Sequence, residues 1–156
     1  MGIRLLRRRR SSRGQALVEF ALVLPVLLIL TMLIIQYGII FYTSLSLTNL
    51  SREGARFAAT QPASSDSSVI STQQSSINTR MANVAPSNIA WSDVSSTITY
   101  YDASSGSEIS TPAAGALVGV SLTYNMSNKL FLPSTFLGIQ IFSTSYTTFT
   151  KMMIES

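Results

Sequence analysis

One carboxylate stands where only hydrocarbon chemistry is expected. Glu19 sits at the mouth of a run, residues 20–51, that has no charged side chain. Upstream of it lie Arg4, Arg7, Arg8, Arg9, Arg10 and Arg13, with no acid among them, and then Gly14. A lone carboxylate placed in lipid is costly and therefore rare, so an acid at this position marks a functional site. Glu19 is the fifth residue after Gly14, and an aromatic residue, Phe20, follows it directly.

Other kinds of chemistry are excluded or unsupported. The chain has 156 residues with no Cys and no His. That rules out a disulfide framework and a Cys- or His-ligated zinc site. Ser-His-Asp and Cys-His nucleophilic arrangements are ruled out with them. Asp93, Asp102 and Glu108 are scattered through a Ser-rich region with nothing to suggest a catalytic pair. A calcium loop at Asp102 and Glu108 is disfavoured, because calcium takes six or more oxygens. No P-loop and no GxGxxG string occurs. The expectation is a protein that is not an enzyme and has no cofactor, no metal and no small-molecule substrate.

The formal charge of +4 would by itself suggest a nucleic-acid partner. Its distribution argues against one. From Gln15 onward five bases (Arg52, Arg56, Arg80, Lys129, Lys151) face seven acids (Glu19, Glu53, Asp66, Asp93, Asp102, Glu108, Glu155), so that part is mildly acidic. The basicity belongs to the leader, where the positive-inside rule accounts for it: the arginines hold the N-terminus in the cytoplasm. No nucleic-acid partner is expected.

The element that must position Glu19 is a membrane helix. The strongly apolar part runs over about residues 20–42, broken by Pro25, Thr31, Gln36 and Gly38. A bilayer core of ~30 Å needs about 20 helical residues, so the run can span. It exceeds the ~7–15 residues of a secretory h-region. Pro25 removes one helix hydrogen bond and should bend the segment. Gln36 and Tyr37 are expected to face a partner or the outer interface.

These residues carry a resemblance. The string RGQALVEFALVLPVLLIL, then QYGIIFY, then LTNLSREGARFAA, resembles the TadE-like proteins, minor pilins or pseudopilins of the tight-adherence (Flp) pilus machinery. The resemblance is strong over about residues 13–59 and weak beyond. It implies cleavage by a membrane prepilin peptidase between Gly14 and Gln15, which leaves Glu19 fifth in the mature chain. Gly14, lacking Cβ, lets the backbone extend toward a protease. The freed α-amine, with a pKa of ~7.7–8, can then partner the Glu19 carboxylate within or between subunits. The implied partners are the peptidase, other pilin and minor pilin subunits, Tad assembly proteins and membrane lipid. The implied location is the inner (cytoplasmic) membrane, single-pass, with the C-terminal domain outside.

The domain layout that follows is a cleaved leader (1–14), an N-terminal helix (15–60) and an exported α+β domain (61–156). Glu53 and Arg56 are expected to pair at i,i+3. Gly54, Ala55 and Ala58 are small enough for close helix approach, either against other pilin helices or against the chain's own domain. A second helix is expected to be capped by Ser65 or Asp66, to carry Ile70, Ile77, Met81 and Val84 on one stripe, and to stop at Pro86. Three strands are expected, over 95–101, 116–124 and 139–149, with residues 151–156 extending the last. Val118, Val120, Leu122 and Tyr124 should share one face. Leu130, Phe131 and Leu132, in the loop that ends at Pro133, are expected to be buried in the domain, the alternative being a contact patch for another subunit, and Trp91 is expected to anchor the core rather than stack on a ligand. The fold class is α+β: a long transmembrane helix followed by a small pilin-like domain with a short helix and an antiparallel sheet. The alternative function is an uncleaved bitopic scaffold or binding subunit; leader retention distinguishes the two.

Overall fold

The computed structural model describes residues 12–136 and 138–155, so the arginines before Ser12 lie outside the described residues. The chain begins with α1, Ser12–Ala59, a 48-residue helix with Pro25 in its interior. Hydroxyl groups along it are satisfied locally. Thr31 donates to the Leu27 carbonyl and Thr43 to the Ile39 carbonyl, at 2.8 and 2.9 Å. This back-bonding hides a hydroxyl where no water is available.

Burial along α1 follows one stripe: Gln36, Ile40, Thr43, Leu47, Leu50, Ser51, Gly54, Ala55, Ala58 and Ala59. The spacings of three and four define a single helix face. Below Gln36 nearly every large apolar side chain is exposed, from Leu17 through Ile35.

The helix stops before Pro62, and Asp66 caps the next one, accepting from the Ser68 backbone N–H at 2.8 Å. This α2, Ser67–Val84, buries Gln73, Ile77 and Met81. Ile70 is half-buried and Val84 exposed, so the apolar stripe is narrower than expected. The Gln73 amide ties α2 to the Pro62 carbonyl at 2.9 Å.

After a single 3-10 turn, Trp91–Asp93, come β1 (Val94–Tyr101), β2 (Glu108–Ile109), β3 (Leu117–Asn125), β4 (Thr135–Phe136), β5 (Ile139–Gln140) and β6 (Ser145–Met153). The main sheet is antiparallel in the order β2-β1-β3-β6; β4 and β5 form a separate hairpin. Val118, Val120, Leu122 and Tyr124 on β3 are all fully buried. They form the core beneath α1 and α2, together with Leu47, Leu50, Ala55, Ile77 and Met81. Trp91 is half-buried against that core. On the opposite face a Cβ at Gly119 would lie within 2.9 Å of the Tyr101 and Phe149 rings, so only glycine fits between them.

Three expectations are corrected. Phe131 is not buried but half exposed, with only its backbone N–H held by Gln36. The last strand is not 139–149. Residues 139–140 belong to the hairpin, turned by Gly138 at φ +79°, and the sheet strand starts at Ser145 and pairs along β3 through Met153. Phe142 diverts the chain between the two: it is buried and packs edge-on against Tyr37, with centroids 5.2 Å apart. Glu53 does not pair with Arg56 but with Arg80 of α2, at 2.9 Å. The inter-helix pair is reached because α2 crosses over Gly54.

Candidate functional site

The N-terminal turns of α1 carry Gly14, Gln15, Glu19 and Phe20, all exposed. An α-helix places residues i and i+4 on one face, and the Gln15 amide donates to Glu19 Oε1 at 3.2 Å. Gln15 and Glu19 are thus brought together, and the Gln15 backbone nitrogen starts the same turn. Pro25 lies six residues beyond Glu19 within continuous helix. The arrangement offers an acid near a helix end, hydrogen-bonded to Gln15 and followed by a long run of apolar side chains.

The small residues of the upper helix lie elsewhere. Ala55 and Ala58 are buried within the chain, and a Cβ on Gly54 would overlap the Met81 sulfur of α2. Gly54 therefore sets how closely α2 approaches α1. One turn below, the Ser51 hydroxyl shares a hydrogen bond with Thr150 of β6 at 2.8 Å. Arg80, Ser51 and Gln36 are the structurally important polar residues that the sequence did not single out for these roles. Gln36 did carry a signal: it is a polar residue in an apolar run, four residues before Ile40 and on the same stripe. Its side chain is fully buried, and its Oε1 accepts from the Phe131 backbone N–H at 3.4 Å.

Three acids of the head, Asp66, Asp102 and Glu108, are engaged by neighbours. Asp102 Oδ1 accepts from the backbone N–H groups of Ser104 and Ser105, each at 2.8 Å. Hydrogen bonds from Ser104 and Ser105 hold its pKa down at about 2. The Ser68 donors likewise lower that of Asp66. Glu108 accepts from the Tyr101 hydroxyl at 3.4 Å. Burial raises the Tyr100 phenol, opposed by a hydrogen bond with Gln74.

Among the described residues one helix is long and apolar enough to cross a membrane, and its apolar window is unburied. With the small sheet domain beyond it, the chain has an α+β head on a long apolar helical stalk suited to a single membrane crossing. Residues 14–56 match the family model described as TadE-like protein. The match begins at Gly14, includes Gln15, Glu19 and Phe20, and ends at Arg56, before α2 and the sheet. It makes residues 14–56 TadE-like and does not extend to the head. No curated protein and no solved structure matches the chain significantly.

Proposed function

We propose that the chain is a minor pilin or pseudopilin of a Tad-type (Flp) pilus, cut by prepilin peptidase between Gly14 and Gln15. It is held in the inner membrane by about residues 20–42, with the leader in the cytoplasm and the head outside. The observation that carries this reading is the spacing of Gly14 and Glu19 at the start of the exposed apolar helix. Cleavage converts the Gln15 nitrogen into a cation one helical turn from Glu19. A paired carboxylate is tolerated in lipid where a lone one is not. A neighbouring subunit's amine can satisfy the same acid, which would fix the axial register of an incoming subunit. Contacts with other pilin and Tad assembly subunits are assigned to the lower stalk, where apolar side chains remain exposed. Gly54, Ala55 and Ala58 are already covered by the head.

The test is the N-terminus of the protein from cells that hold the matching peptidase. Intact mass should show a chain beginning at Gln15, and Glu19→Ala should be cut normally yet enter the assembly poorly. A mature chain that still begins at Met1 removes the proposal and favours the uncleaved scaffold. Normal incorporation of Glu19→Ala removes the acid from the mechanism.

A further inference from the structure

The connection between β3 and β6 is the least explained part of the head. Residues 130–150 contain no charged side chain, although Lys129 and Lys151 flank them. Phe131 and Ile139 are half or more exposed, at 50% and 70%, and Ile141 is 37% exposed. In a water-facing loop such exposure would be unfavourable.

Its position relative to α1 supplies the reason. The buried stripe of α1 does not end at the head. It continues from Ile40 to Gln36 and half-buried Leu33, and Ile29 extends the same spacing. The two segments that flank the hairpin, residues 131–133 and 141–142, cover this extension. Phe131 is bonded to Gln36, and Phe142 packs on Tyr37. Leu132, Pro133, Ile141 and Phe142 enclose a cavity of about 310 Å³ against Ile29 and Leu33. At 1.5 Å of rise per residue, Ile29 lies about 14 Å along the helix from Phe20 and Gln36 about 24 Å. In a hydrocarbon core ~30 Å thick that starts at Phe20, Ile29 falls close to the midplane and Gln36 well within the half distant from the leader.

Irregular backbone is tolerated at such depth only where its polar groups are satisfied within the protein. Several here are. Ile141 and Phe142 N–H both donate to the Ser134 carbonyl, at 2.8 and 3.3 Å, and the Gln140 amide donates to the Phe142 carbonyl at 3.1 Å. Residues Thr135 and Phe136 pair with Gln140 and Ile139. Pro133 has no N–H to satisfy.

We infer that the β4–β5 hairpin is a second membrane element: it lies in the outer leaflet against the spanning helix, and lipid acyl chains cover its exposed apolar side chains. The occupant is lipid rather than a second subunit because the exposed surface is continuous with that of the span, uncharged, and at the same depth. The purely apolar cavity beneath the hairpin is suited to an acyl chain. This inference rests on residues 20–42 spanning the bilayer.

The chain has no native cysteine, so single nitroxide labels can be placed cleanly in the full-length protein. Ile139→Cys reports the hairpin and Leu22→Cys the span. Ser104→Cys reports the far end of the head, where Tyr101 and Leu117 pair next to the chain that meets Ala59. In phosphatidylethanolamine–phosphatidylglycerol vesicles, labels at 139 and 22 should collide several-fold more with oxygen than with a water-soluble nickel chelate. The label at 104 should show the reverse. A label at 139 that behaves like 104 while 22 stays in lipid overturns the hairpin inference alone. So does a label at 139 shielded from both colliders with spin–spin broadening that survives lipid dilution, since that is a subunit contact. A label at 22 that prefers nickel overturns the span and the hairpin together.

Discussion

The two ends of α1 are built from similar apolar side chains but present them differently. From Phe20 to Ile35 the helix is apolar on nearly every side and, apart from half-buried Leu33, its large apolar side chains are exposed. From Gln36 to Ala59 it is amphipathic, with one buried face and with Arg52 and Arg56 turned outward. A helix that is apolar on every side requires lipid or neighbouring helices, whereas a striped one requires only its own sheet. The same secondary structure therefore serves two solvents, and the change from uniform to striped patterning marks where the head begins.

The largest contrast should come from one truncation made at each end. Leu47 is 1% exposed in the core, so Leu47→Ala should cost about 2–5 kcal/mol of head stability. Leu27→Ala, on the lipid-facing part, should leave the unfolding of the head unchanged when both are followed thermally in nanodiscs. Equal losses would erase the distinction between the two ends. Next in size is Gly54→Leu, which drives a side chain into Met81 and should cost about 1–3 kcal/mol. The same change at Gly38, where a Cβ would meet nothing within 4 Å, should be harmless to the head.

A smaller effect is expected at the Glu53–Arg80 pair, whose side chains are 35% and 50% exposed. Arg80→Ala should cost about 0.2–1 kcal/mol, and the loss should shrink as salt is added. Smallest is a titration. The folded pKa of Asp102 is held down from 3.8 to about 2. Its contribution to stability is therefore fully present above pH 4 and is lost as the pH falls toward 2. Carboxyl-carbon NMR should find its midpoint near 2, and Ser104→Ala should move that midpoint upward.

The sequence made the stalk and the central strand legible because both carry strong periodic signals. A 23-residue apolar run admits few readings, and the alternation of Val118, Val120, Leu122 and Tyr124 fixes which face of β3 is buried. The cap at Asp66 was legible for the same local reason. What failed depended on distant partners. Glu53 had a local candidate in Arg56, but α2 brings Arg80 within 2.9 Å. The segment from Ile139 to Phe149 has strand composition throughout, yet Phe142 leaves the ladder and is buried against Tyr37. Gln36 was visible as a misfit, whereas its partner, the Phe131 N–H ninety-five positions away, was not. At the candidate site, Gly14 and Glu19 were singled out by their spacing together with the family resemblance. The Gln15 amide that accompanies Glu19 follows from the helix that the spacing already required.

Because α1 runs unbroken from Ser12 to Ala59, stalk and head have no joint between them. About 58 Å of rise separates Phe20 from Ala59. A tilt of about 20°, ordinary for a spanning helix, would carry the far end sideways by about 20 Å. The head thus behaves as the tip of a lever, and the thickness of the surrounding bilayer becomes a steering input for whatever the tip must meet.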